Sequence, residues 1–228
     1  MSGRGPRLFS LPPRIGALPV GSTIKLNVAS TPWEFLIVHQ GLPSDLYDAS
    51  CDGAWLLMKD LYNMPEWSIS NKNVYETSTI DTWLNGDFRG LLDSGVQSVI
   101  KQVKIPYRKN GGGSNGTDQS GADGLLRKIF LLSAYEVGFT ADDSKYLPTD
   151  GAKLSYFTTD NSRRIAYLSG TATRWWLRSP ITTYTDMVAL IMATGRLAIT
   201  YNAAVLAGTR PAFIMPSDFR VTDDMLSA

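Results

Sequence analysis

The chain has one cysteine, one histidine and a formal net charge of only +1, and each shortage closes off a class of function. Cys51 cannot form an intramolecular disulfide, so stability has to come from burial and hydrogen bonding. His39 lies inside an apolar run and reads as a core or edge-strand histidine. With no second His or Cys, zinc has no ligand set, and no cofactor is expected. No cluster of Lys and Arg builds a field for a phosphate backbone, which argues against a nucleic acid partner. No stretch approaches the roughly eighteen apolar residues of a membrane span, so membrane insertion is not expected. The first 21 residues are broken by Pro and Gly where a signal peptide needs an apolar core, which places synthesis in the cytoplasm without such a peptide.

What is present is a 228-residue chain, 43% hydrophobic and only 19% charged, with six Trp, ten Tyr and eight Phe. That balance supports one large packed domain of β-rich or mixed class rather than a bundle built on Glu, Lys and Leu. Residues 1–20 carry Pro6, Pro12, Pro13 and Pro19 and read as an extended arm, with Leu8, Phe9, Leu11 and Ile15 as anchors for attachment to a larger assembly. The domain proper then runs over residues 21–228. Ile24, Leu26 and Val28 alternate with polar neighbours and residues 33–39 form a second apolar run, together an opening hairpin, with residues 55–58 as a third strand. Ser78 caps a short helix carrying Ile80, Trp83 and Leu84 that Gly86 ends, and Asp87 and Asp93 cap two further short helices. Residues 108–124, RKNGGGSNGTDQSGADG, are almost free of apolar side chains and read as a mobile surface loop. Residues 129–132 form a buried strand, followed by Ser133 and Glu136 at capping-box spacing. From Trp175 onward, four short strands at residues 175–178, 187–192, 197–201 and 212–215 make a C-terminal β-meander.

Catalytic chemistry has little to stand on, since no nucleophile with a base, carboxylate pair or metal cluster is signalled. The pairs Asp142–Asp143 and Asp223–Asp224 lack the spacing of a calcium loop and read as solvated surface. The run of residues 111–116, GGGSNG, lacks the Lys-Ser/Thr of a phosphate cradle. Asn115 with Thr117 forms a glycosylation sequon that acquires meaning only on secretion. Trp175 and Trp176 read as structural, and Arg178 and Arg210 as residues that tie loops together by charge-assisted hydrogen bonds.

WWLRSP at residues 175–180 and GTRPAF at residues 208–213 carry a family resemblance, supported by VHQGLPSDLYD (38–48), STIDTWLN (78–85), KQVKIPYR (101–108), KIFLLSAYEVG (128–138) and LSYF (154–157). In these blocks, over about residues 18–221, the chain resembles a domain family of gut bacteria and their phages that includes variable target proteins of diversity-generating retroelements. The resemblance implies an α+β, C-type-lectin-like fold, which is also that of the formylglycine-generating enzymes, with short helices and the C-terminal meander. The cysteines of the enzyme chemistry do not match Cys51, and the Glu-Pro-Asn or Gln-Pro-Asp tripeptide of sugar-binding C-type lectins is absent. Enzymatic activity is therefore not expected, and the fold alone does not imply sugar specificity.

What the resemblance implies instead is a non-catalytic phage or prophage receptor-binding protein, located on the virion tail or surface, whose diversified segment lies within residues 181–209. Its partner would be a host cell-surface protein or glycan, with other virion proteins contacted through the arm, and a homo-oligomer is compatible with this role. Expected ligand contacts are Ile181, Tyr184, Asp186, Leu190, Met192, Arg196, Thr200, Tyr201 and Asn202, with Tyr184, Arg196 and Tyr201 as preferred anchors because aromatic and Arg side chains dominate interfaces. The other reading is a virion structural or decoration protein using the same fold for assembly.

Overall fold

The computed structural model describes residues 11–226 and shows a mixed fold, mostly short strands in several small sheets with a few short helices. Strands β1 (Thr23–Val28) and β2 (Thr31–Gln40) form the expected hairpin, with Ile24 opposite Phe35 and Leu26 opposite Trp33. Ala29 and Ser30 turn it through positive φ, the backbone that two-residue hairpins need. Ile24, Leu26 and Val28 point inward while their neighbours stay half exposed, so the alternation in sequence is the alternation in space. Strand β3 (Ala54–Met58) is buried at all five positions.

The helical region starts as expected, with Ser78 accepting from the Asp81 amide to cap α1 (Thr79–Trp83). It does not stop at Gly86. The chain continues through a π turn (Leu84–Phe88) into α2 (Arg89–Leu91), and Gly86 keeps a negative φ, unlike a terminating glycine. Asp87 therefore lies inside this run and caps nothing. Asp93 does precede α3 (Ser94–Val99), but its side chain accepts from Asn27 rather than from the helix.

The segment read as a mobile loop over residues 108–124 is built into paired structure. Strands β4 (Val103–Ile105) and β5 (Tyr107–Lys109) pair with β7 (Leu125–Arg127) and β6 (Thr117–Gln119), so the glycine-rich run is the tip of the β5–β6 hairpin. Strand β8 (Ile129–Phe130) follows, then the Ser133–Glu136 box, in which the Ser133 amide donates to Glu136 and the Glu136 amide donates to Ser133 Oγ.

A small ladder of β9 (Tyr167–Leu168) and β10 (Thr171–Ala172) leads to β11 (Trp175–Pro180), β12 (Met187–Ile191) and β13 (Leu197–Asn202), an antiparallel sheet in that order. The expected meander ends there. Its fourth strand, β14 (Ala212–Met215), leaves this sheet and inserts between β3 and β8, completing a five-stranded sheet in the order β1, β2, β3, β14, β8. One continuous core joins both sheets.

Of the expected arm, residues 1–10 lie outside the described residues. The rest is not a detachable extension: Ile15 is fully buried, its amide donates to the Phe219 carbonyl, and the Val221 amide donates to the Pro13 carbonyl. Burying one isoleucine contributes about 1.5–3 kcal/mol, so this stretch belongs to the folded unit.

Strand β11 is held from both faces. Trp175 and Trp176 point to opposite sides, yet both are buried, and their indole N–H groups donate to the carbonyls of Arg164 and Pro65. Arg178 forms a two-pronged pair with Glu136 at 2.6 and 2.7 Å and also donates to the carbonyls of Leu131, Pro106 and Asp150. Tyr47 donates to the same Glu136. A buried arginine saturated in this way fixes three loops on one strand.

Candidate functional site

Across the three-stranded sheet, exposure rises step by step. All six residues of β11 are buried, four of five in β12, and none in β13. The outer edge of β11 is covered by the Trp176 amide bonding the Gly208 carbonyl and the Arg178 amide bonding the Leu132 carbonyl. Among the described residues no strand covers the outer edge of β13, the last strand of the sheet. A bulge sets residues 199 and 200 opposite the single Ala189, which twists that edge and discourages strand-to-strand pairing.

Seven of the nine expected contacts reach this surface. Tyr184 is 48% exposed, Arg196 and Thr200 are exposed, and Asp186, Met192, Tyr201 and Asn202 are half-buried. Asn202 donates to Asp186 at 3.1 Å, and the Tyr201 ring lies 5.1 Å from the Arg174 guanidinium. Ile181 and Leu190 are corrections: both are fully buried. Leu190 sits on the middle strand, paired with Trp176 on one side and Ala198 on the other, and Ile181 follows β11 with its amide bonded to the Met187 carbonyl. Neither can touch a ligand.

Residues 182–186, which join β11 to β12, are held by a residue the sequence did not single out. Asn73 is 1% exposed; its Nδ2 donates to the carbonyls of Tyr184 and Met187 at 2.8 Å, its amide donates to the Thr185 carbonyl, and its Oδ1 accepts from the Gly112 amide at 2.9 Å. The Gly113 amide adds a bond to the Thr182 carbonyl. A Cβ at Gly112 would overlap the carbonyl oxygens of Tyr184 and Ile181, so only glycine lets the β5–β6 tip come this close.

Several depressions flank the surface, among them one of about 380 Å³ lined by Arg196, Leu197 and Phe139. A groove of about 490 Å³ runs beside β13 between Leu197–Thr200 on one side and Phe139, Asp143 and Ser144 on the other, with Arg164 stacked 4.4 Å over the Phe139 ring. Another, of about 640 Å³, lies where Thr185 meets the β5–β6 tip and Lys72. The groove beside β13 sets Phe139, Leu197 and Ile199 beside Asp143, and the depression at the tip is lined mostly by polar and glycine residues with Lys72 at one side.

Residues 52–217 match the family described as Domain of unknown function (DUF6273). The chain belongs to the DUF6273 family. No curated protein and no solved structure matches it. The DUF6273 match includes β3 to β14 and the whole candidate surface, whereas β1 and β2, which complete the central sheet, precede it.

Elsewhere in this DUF6273 chain the groups that might do chemistry are committed or unassisted. His39 Nδ1 lies 2.7 Å from Ser155 Oγ and also accepts from the Ser155 amide, so that nitrogen is the acceptor. Its Nε2 is bonded to no carboxylate, and burial lowers the imidazole pKa, so a serine–histidine pair exists without the third group that orients a base. Burial pushes the Cys51 thiol up to about 12, which removes it as a nucleophile at neutral pH. Among the described residues no group of His, Cys, Asp and Glu is arranged to hold a metal, and no helix is long and apolar enough to cross a membrane.

Proposed function

We propose that this protein is a non-catalytic binding protein of C-type-lectin-like fold that serves as a phage or prophage receptor-binding protein, presenting the β12–β13 hairpin and residues 182–186 as a diversified recognition surface. The observation that carries the reading is the contrast within one sheet: β11 is buried at every position and β13 at none, so substitutions on the outer strand leave the scaffold intact. The C-type-lectin-like assignment and the retroelement connection rest on the resemblance of the blocks at residues 175–180 and 208–213, which bracket the hairpin. Tyr184, Arg196 and Tyr201 are the anchors, joined by Phe139 and Asp143 across the groove. The partner is a host cell-surface protein or glycan, bound through many copies where single domains bind weakly.

The test is one variant with Tyr184, Asp186, Arg196, Thr200 and Asn202 all substituted, assayed for melting temperature and for adhesion to the host cell. Tyr184, Arg196 and Thr200 are exposed and shift stability by about 0.5 kcal/mol or less each, and the half-buried Asp186 and Asn202 lose one mutual hydrogen bond of about 1 kcal/mol, so the fold survives and adhesion is lost. Retained adhesion with an intact fold overturns the reading and favours the alternative, a virion decoration role.

A further inference from the structure

Asparagine followed by glycine is prone to modify itself, because glycine puts no side chain between the asparagine amide and the next backbone nitrogen and leaves that link free to turn. The chain holds three such pairs, Asn85–Gly86, Asn110–Gly111 and Asn115–Gly116. Each sits in different surroundings.

Asn85 lies in the π turn with both ends of its side chain engaged. Its Oδ1 accepts from the amides of Lys128 and Ile129 at 3.2 Å, and its Nδ2 donates to the carbonyls of Asp81 and Ile129 at 3.1 and 2.9 Å. Swinging its Cγ onto the Gly86 nitrogen breaks all of these bonds. Asn110 is held from two sides: its amide donates to Glu76 Oε1 at 2.8 Å and its Nδ2 to the Asn115 carbonyl at 3.2 Å. The following Gly111 is buried at φ 67°, with the Asn73 carbonyl where a Cβ would be.

Asn115 differs from both. It is exposed at the β5–β6 tip, only its carbonyl is engaged, and its side chain has no hydrogen-bond partner among the described residues. Gly116 closes a turn through one long bond, from its amide to the Gly113 carbonyl at 3.3 Å. The Gly111 carbonyl packs where a Cβ of Gly116 would go, so the glycine is fixed and the asparagine side chain is the part that can swing towards it.

We propose that Asn115 is a site of spontaneous deamidation, with the Gly116 nitrogen as the attacking group. That nitrogen bonds to Asn115 Cγ, the Cγ–Nδ2 bond breaks, and the displaced nitrogen leaves as ammonia with the proton that Gly116 gives up. Water then opens the cyclic imide. Cleavage between Cγ and the Gly116 nitrogen leaves aspartate at position 115, and cleavage at the backbone carbonyl routes the chain through the side chain as isoaspartate. Nothing is oxidised or reduced, and water is the only co-reactant. Either product adds a negative charge to the depression lined by Lys72, Asn110 and Thr185. The isoaspartyl link also lengthens the backbone of a tip whose Gly113 amide bonds the Thr182 carbonyl, which carries the change to residues 182–186.

The test is to age the folded full chain in mildly alkaline buffer and follow all three sites by peptide mapping with mass spectrometry, beside chain kept in denaturant. A site locked in structure reacts only from locally opened molecules, so folded Asn115 should convert at least about tenfold faster than Asn85 and Asn110, and denaturant should remove the difference. Asn85 or Asn110 converting as fast as Asn115 in the folded chain, or Asn115 converting less than about a tenth as fast folded as denatured, overturns the proposal. Asn115→Gln, whose longer side chain closes an imide ring less readily, should abolish the early release of ammonia; release that persists overturns it equally. Amide chemical shifts at residues 182–186 should move with the modified fraction in the parent and stay fixed in Asn115→Gln, and shifts that stay fixed in both sever the link from the tip to that surface. Adhesion plays no part in these readouts, so they stand apart from what the surface binds.

Discussion

Strands β11 and β13 belong to one sheet, separated only by β12, and meet opposite fates. Strand β11 has Trp175, Trp176 and Arg178 locked to carbonyls on both faces and its outer edge covered by residues 132 and 208. Strand β13 has a bulge, no buried residue and, among the described residues, an outer edge without a strand. Proximity in a sheet therefore does not equalise constraint. What separates the two is how many directions each side chain is packed from.

The largest expected effect breaks the inner strand. Arg178→Ala leaves the buried Glu136 without its counter-ion, held only by Tyr47 and the Ser133 amide, and should destabilise by about 3–5 kcal/mol, read as a lower denaturant midpoint; a loss as small as that of Thr200→Ala would erase the distinction between the strands. A middle effect tests the link between scaffold and surface. Asn73→Ala removes two donated bonds and strands the Gly112 amide, which should cost about 1–3 kcal/mol and raise hydrogen exchange at residues 182–187 before it is raised in β11.

A third effect depends on pH rather than on a lost contact. Asp150, behind Ser179, is fully buried; burial outweighs the attraction of Arg178 and pushes its carboxyl up to about 7. The folded chain then holds a proton between about pH 4 and 7 that the unfolded chain releases, so this group's contribution falls as pH rises through that window and is flat above it. Asp150→Asn, which still accepts from Ser179, should gain melting temperature relative to the parent at pH 8 compared with pH 5. A difference that does not change with pH would show that Asp150 stays ionised beside Arg178 throughout.

The inner half of this contrast was legible in the sequence, and the outer half only partly. Alternation gave β1, capping spacing gave Ser78 and the Ser133–Glu136 box, and the reading of Trp175, Trp176, Arg178 and Arg210 as structural agrees with their burial. Arg210 donates to the carbonyls of Met58 and Lys59 and stacks 4.9 Å from Trp175. Leu190, on the middle strand, and Ile181, directly after the equally buried β11, were misplaced because segments covered on both faces show no alternation to reveal which positions point outward. The glycine-rich tip was misread for a related reason. Composition records that residues 111–116 lack apolar side chains, but close packing of backbone against backbone leaves no apolar signature, and Asn73, which organises it, lies far away in sequence. The π turn escaped because its cause, the bonding of Asn85 to residues 128 and 129, is tertiary.

Residues 12–16 lie beside residues 217–221. Arg14 bridges to Arg220, the Gly16 amide bonds the Ser217 carbonyl, and Arg220 reaches back to the Pro12 carbonyl. A short linker joining residue 12 to residue 222 therefore spans little distance, and an exposed turn such as residues 169–170 is a place to open the chain instead. The same neighbourhood lets residues 12–222 be spliced into a loop of another protein as a cassette, entering and leaving side by side.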